Sequence, residues 1–136
     1  MRNTVTLAVC ALSGVVITSV GLGLLFWPSD MHAANGIALS GETGLLSETR
    51  APGGFLLLVG MFVLASLLRP AWRQAALVAT ALINGGWAAG RMVSIALDGL
   101  PPQALLAAFF IEVTLTGLAI LTIIQSPNPA RKAVWS

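Results

Sequence analysis

Five side chains with chemistry to offer sit inside or at the rim of long apolar runs: Asn84, Arg91, Ser94, Asp98 and Glu112. Asn84, Arg91 and Asp98 recur every seven residues. On a helix that spacing drifts only about 20° per step, so the three share one face. Ser94 falls on the same face, and Glu112 stands well inside the next apolar run. A charge at the centre of a lipid-embedded helix costs about 2.5–3.5 kcal/mol on insertion scales, so such groups seek partners. At 1.5 Å per residue, Arg91 lies about 10 Å below the end of its run and Glu112 about 13 Å below the start of the next. A short turn joins the two runs and makes them antiparallel neighbours. The two charges can therefore meet at similar depth. Arg91 can also reach past Ser94 to Asp98, and Glu48 and Arg50, before the second run, can join the network. Three roles are open to such a cluster. It can clasp two helices in register without chemistry. It can form a polar pocket on the outer side for a headgroup, a proton or a polar lipid substituent. Or Arg91 can snorkel to the interface alone.

The elements that must position these groups follow from composition. Of 136 residues, 57% are hydrophobic and only 9% charged, too apolar for a soluble domain of this size. The apolar residues fall in four blocks, each near the length a helix needs to cross hydrocarbon. The expected fold is all-α: one membrane domain, 1–136, forming a four-transmembrane-helix bundle over about 4–27, 52–68, 75–97 and 103–125, with an outer loop over 28–51. The first block is too long for a signal-peptide core and reads as a retained helix, with Trp27-Pro28 at its interfacial end. Pro52 suits a first helical turn. Gly53 and Gly54, and the Gly86/Gly90 pair, mark faces where helices can pack closely. Arg2, Arg69, Arg73, Arg131 and Lys132 fall on one side of a four-crossing chain, which puts both termini in the cytoplasm. His32 reads as an exposed loop residue, Cys10 as a packed small hydrophobe, and Trp87, one turn before Arg91, as able to stack on it. One Cys and one His do not make a usual Cys/His metal site, so neither metal nor cofactor is expected. The basic residues form no stripe that would suit nucleic acid.

Arg50-Ala51-Pro52-Gly53-Gly54, Gly90-Arg91-Met92-Val93-Ser94, Asp98-Gly99-Leu100-Pro101 and Glu112 together resemble a family of short bacterial four-helix membrane proteins catalogued as a domain of unknown function. The resemblance runs from the first block to the fourth. It departs at Pro52, where an apolar or aromatic residue is expected before the Gly pair. It implies the topology and the polar cluster, in a bacterial inner membrane, but no reaction. The layout is also similar to DoxX-like four-helix proteins, some associated with quinone oxidase systems, which implies a lipid or quinone-like ligand by analogy of fold alone. The leading expectation is a non-enzymatic, multi-pass protein: an accessory subunit or scaffold that associates with itself or with a larger membrane complex. The alternative is a carrier or binder of a small lipophilic or cationic molecule, proton-coupled through Glu112. A lipid-modifying enzyme using Glu112 and Asp98 ranks third, for want of a nucleophile or metal.

Overall fold

A computed structural model describes residues 2–126. Pro127, Pro129, Arg131 and Lys132, on which the last helix stop and part of the charge asymmetry rest, lie outside the described residues, as does the side chain of Arg2. The described chain is all-α: α1 (Arg2–Phe26), α2 (Pro28–Ala34), α3 (Thr43–Ala65), a 3-10 turn (Pro70–Trp72), α4 (Arg73–Asp98) and α5 (Gln103–Gln125). Three helices are long and apolar enough to cross a membrane: α1, α3 and α5. At 26 residues α4 matches them in length, about 39 Å. Asn84, the glycines at 85, 86 and 90, Arg91 and Ser94 keep it less apolar than the other three.

The helices associate as two antiparallel pairs, α1 with α3 and α4 with α5. In the first pair the backbones nearly touch. A Cβ built on Gly53 would lie 2.6 Å from Leu25 N, and one on Gly60 2.6 Å from Thr18 N. Gly21 against Leu57 and Gly14 against Leu64 continue the seam, and the two position numbers in each pair add to the same value. That constancy is the signature of two antiparallel helices in one register. Where the two pairs meet, the core holds Val9, Cys10, Val63, Ala76, Leu77 and Ala119. Large side chains such as Leu58, Leu82, Leu97, Phe110 and Ile124 point outward, the arrangement lipid requires.

Two contacts fix which ends lie together. Arg73 Nη1 donates to Asn3 Oδ1 at 2.6 Å, so the turn between α3 and α4 sits beside the start of α1. A Cβ on Gly36 would meet Pro102 Cγ at 3.7 Å, so the segment after α2 sits beside the turn between α4 and α5. The first end carries Arg69 over the Trp72 ring at 4.9 Å, with Trp72 stacked on Phe62. At the second, Gly99 closes α4 with φ of 92°, a conformation glycine reaches without a Cβ penalty.

The region 28–51 departs from the expected loop. Pro28 occupies the first turn of α2, where its missing N–H costs nothing. It starts a new helix as well as stopping α1. Similarly, α3 begins at Thr43, nine residues before Pro52, and Pro52 lies inside it. Thr49 is buried and bonds back to Leu45 O at 2.8 Å, while Arg50 Nε donates to Leu25 O at 3.2 Å. These contacts hold the early turns of α3 although Pro52 cannot donate to Glu48 O. The same helix ends at Ala65, three residues before the expected boundary.

Candidate functional site

The α4–α5 hairpin brings Arg91 and Glu112 together. Arg91 Nε donates to both carboxylate oxygens of Glu112, at 2.9 Å to Oε2 and 3.1 Å to Oε1. This is the ion pair found among the described residues. The Glu112 side chain is 6% exposed and that of Arg91 25%, so the carboxylate is the buried partner. Engagement through Nε alone leaves the two outer nitrogens of the guanidinium without hydrogen bonds. A guanidinium carries five N–H donors, so four of them remain to be satisfied.

Arg91 and Glu112 both line a cavity of about 340 Å³ between the two helix pairs. Most of its lining is aliphatic: Val16, Ile17 and Val20 from α1, Leu56 from α3, Ile83 from α4 and Ile111 from α5. Its polar lining is Arg91, Glu112, Asn84, His32 and Asn35. Asn84 is buried and donates its amide to Thr80 O at 3.0 Å, which leaves its Oδ1 as an acceptor. His32, on α2, shares 2.8 Å with Pro28 O through Nδ1. A carbonyl only accepts, so Nδ1 carries the proton and neutral His32 has its lone pair on Nε2. Asn35 likewise gives its amide to Met31 O at 2.9 Å, leaving its carbonyl oxygen unbonded. A second recess of about 350 Å³ lies on the outer face of the hairpin, lined by Gly86, Gly90, Ser94 and Pro101. Trp87, Arg91 and Leu105 belong to the walls of both.

The other residues expected in the cluster are elsewhere. Asp98 is exposed and accepts from Ser94 Oγ at 3.1 Å, so Ser94 ties it to its own helix and Arg91 does not reach it. Arg50 is spent on Leu25 O beside an exposed groove, and Glu48 is exposed without an ion pair; neither joins Arg91. The early start of α3 is the reason. It carries residues 48 and 50 into a regular helix, on faces set by α1, instead of a loop free to fold inward. Gly53 packs against α1 as expected of a small residue, and Gly54 has Leu25 Cδ1 only at 4.0 Å. A Cβ on Gly86 or Gly90 would meet nothing within 4 Å, so no helix of this chain packs on these two. They are the floor of the outer recess. Trp87 makes no ring contact with Arg91; the cation–π pair among the described residues is Arg69 with Trp72.

His32 corrects the sequence expectation most. Half-buried and on a helix, it faces the same cavity as Arg91 and Glu112. The signal was present in Trp27-Pro28-Ser29-Asp30: a proline at a first helical position with an acid in the first turn. Met31, His32 and Asn35 then fall on one face, and all three line the cavity.

The arrangement can hold an apolar body in the aliphatic part while presenting strong donors from Arg91 and acceptors from Asn84, Asn35 and His32. Comparison with known proteins adds a family: a model described as a domain of unknown function (DUF4345) matches residues 5–123. No curated protein and no solved structure matches the chain.

Proposed function

Because the chain belongs to the DUF4345 family, whose description carries no activity, we propose its function from the cavity: a small integral membrane protein that binds a lipophilic molecule between its helix pairs. The single observation behind this is Arg91. It is fixed to Glu112 through Nε, its outer nitrogens are unsatisfied, and it borders a largely aliphatic space of about 340 Å³. That volume lies within the usual range for ligand sites, about 300–1,000 Å³, and few placed polar groups in an apolar wall are their usual anatomy. An engaged carboxylate disfavours a cationic ligand.

In this proposal all four long helices cross the bilayer. Support for α4 comes from its length and from its ends: it starts beside Asn3 and finishes near the Gly36–Pro102 contact, running the same distance as α1. Its polar groups face the cavity and the recess. The basic end, with Arg69 and Arg73, is cytoplasmic by the positive-inside tendency, and the membrane is a bacterial inner membrane.

The test is thermal. Lipophilic compounds added to the protein in nanodiscs should raise its unfolding temperature as mass action requires. Replacing Ala108, a small cavity-lining residue, by Phe should abolish that rise without touching either charge. Equal stabilisation of both proteins would place binding outside the cavity. An accessory-subunit role has one observation in its favour: the recess over Gly86 and Gly90 is unfilled and faces outward, leaving room for a helix of another chain. Crosslinking from position 86 to a stoichiometric partner would support it.

A further inference from the structure

The cavity's charges define the headgroup. Resting on the binding role proposed above, we infer that the bound molecule is an uncharged lipophile whose polar end is a carbonyl-type oxygen, hydrogen-bonded to the outer nitrogens of Arg91.

Charge balance carries the argument. The groups that line the cavity from each element can be named. Arg91 comes from α4, Glu112 from α5 and His32 from α2. The residues supplied by α1 and α3, among them Val16, Val20 and Leu56, are aliphatic. The Arg91–Glu112 pair sums to zero before any ligand enters. A carboxylate or phosphate headgroup would place a second anion beside the buried Glu112, and an ammonium would place a second cation beside Arg91. In an apolar wall either leaves a net charge that nothing cancels. An uncharged oxygen adds no charge. It also accepts from the outer N–H groups of Arg91, which Glu112 leaves unpartnered, and beside an apolar wall such a bond is worth more than in water. Arg91 can only donate, and a donor left unpaired by a molecule without an acceptor is costly, so a plain hydrocarbon fits poorly. The cavity's size limits the tail. About 340 Å³ equals roughly eleven waters by liquid volume, so it holds a headgroup and a short chain or a ring.

The experiment uses the full chain in nanodiscs at one fixed, mildly alkaline pH. Three probes of equal chain length are compared: a medium-chain methyl ketone, the fatty acid and the alkylammonium. Binding to the Ala108→Phe variant is subtracted in each case, which removes partition into lipid. The ketone is expected to bind roughly tenfold or more tighter than either ion, a difference that affinity measurements resolve readily. In Glu112→Gln, Arg91 loses its compensating charge and the order should reverse in favour of the fatty acid. Tightest binding by the fatty acid or the amine in the natural protein overturns the headgroup assignment and leaves the cavity as a binding site. An unchanged order in a folded Glu112→Gln protein overturns the charge-balance argument. If that variant does not fold, the ranking in the natural protein decides alone. If no probe distinguishes the natural protein from Ala108→Phe, the binding role itself fails.

Discussion

At the scale of residues, Arg91 and Glu112 are unequal partners. Glu112 is nearly enclosed, whereas Arg91 retains a quarter of its side-chain exposure and a long flexible stem. Removing the arginine strands a buried carboxylate; removing the carboxylate leaves a guanidinium that is already partly exposed. Arg91→Gln should therefore destabilise by about 3–5 kcal/mol, the usual cost of breaking a buried pair. Glu112→Gln should cost visibly less, and the double variant should recover much of the loss. Unfolding by detergent titration measures all three, and equal costs for the singles would show the pair to be symmetrically solvated. This pairing was legible in sequence because two geometric facts suffice: equal depth from the rise per residue and a short turn between the runs. The fate of Glu48, Arg50 and Asp98 was not legible in the same way. Their positions depend on where α3 starts and on whether Ser94 or Arg91 takes Asp98, local competitions that spacing alone does not decide. His32 was hidden for a related reason. A proline after an interfacial tryptophan was read only as a stop, although it also suits a start.

At the scale of elements, glycines in the helices do two opposite things. Gly21, Gly53 and Gly60 let the α1 and α3 backbones nearly touch, whereas in α4 Gly86 and Gly90 leave space unfilled, although Gly85 stands close against Thr116. Gly60→Ala would drive a methyl into Thr18 backbone, and overpacking of this kind costs about 1–3 kcal/mol. Gly86→Ala meets nothing, and the alanine's better helix propensity, up to about 1 kcal/mol, makes it neutral or stabilising. Comparing the two variants by the same detergent titration checks this. Equal damage from both would mean that α4 packs through Gly86 in the membrane. Sequence pattern does not separate these cases, because a small-residue face looks alike whether a helix or an empty recess lies against it. The α4–α5 hairpin was clear from its apolar lengths and the Asp98–Pro102 turn. The short α2 was not, since seven residues carry too little periodicity to stand out.

At the scale of the whole molecule, three helices announce themselves as membrane spans by length and apolarity. The fourth long helix, α4, is less apolar, and among its polar groups Asn84, Arg91 and Ser94 line the cavity or the recess, so the residues that suggest a function also lower its apolarity. Topology is open to direct test. In a Cys10→Ala background, single cysteines at Ser40 and Leu100 should react with an impermeant maleimide from one side of the membrane. One at Leu68 should react only from the other. Labelling of positions 68 and 100 from the same side would mean that α4 does not cross. The family match over 5–123 takes in α3 and α4 whole and all but the ends of α1 and α5.

The central claim is that the space walled by the Arg91–Glu112 pair holds a small molecule. Native mass spectrometry of protein released from mild detergent addresses it most directly. The natural protein should carry a bound species of small-molecule mass, and Ala108→Phe, prepared in parallel, should have lost it. Bare protein in both samples, or the same adduct in both, would contradict the claim.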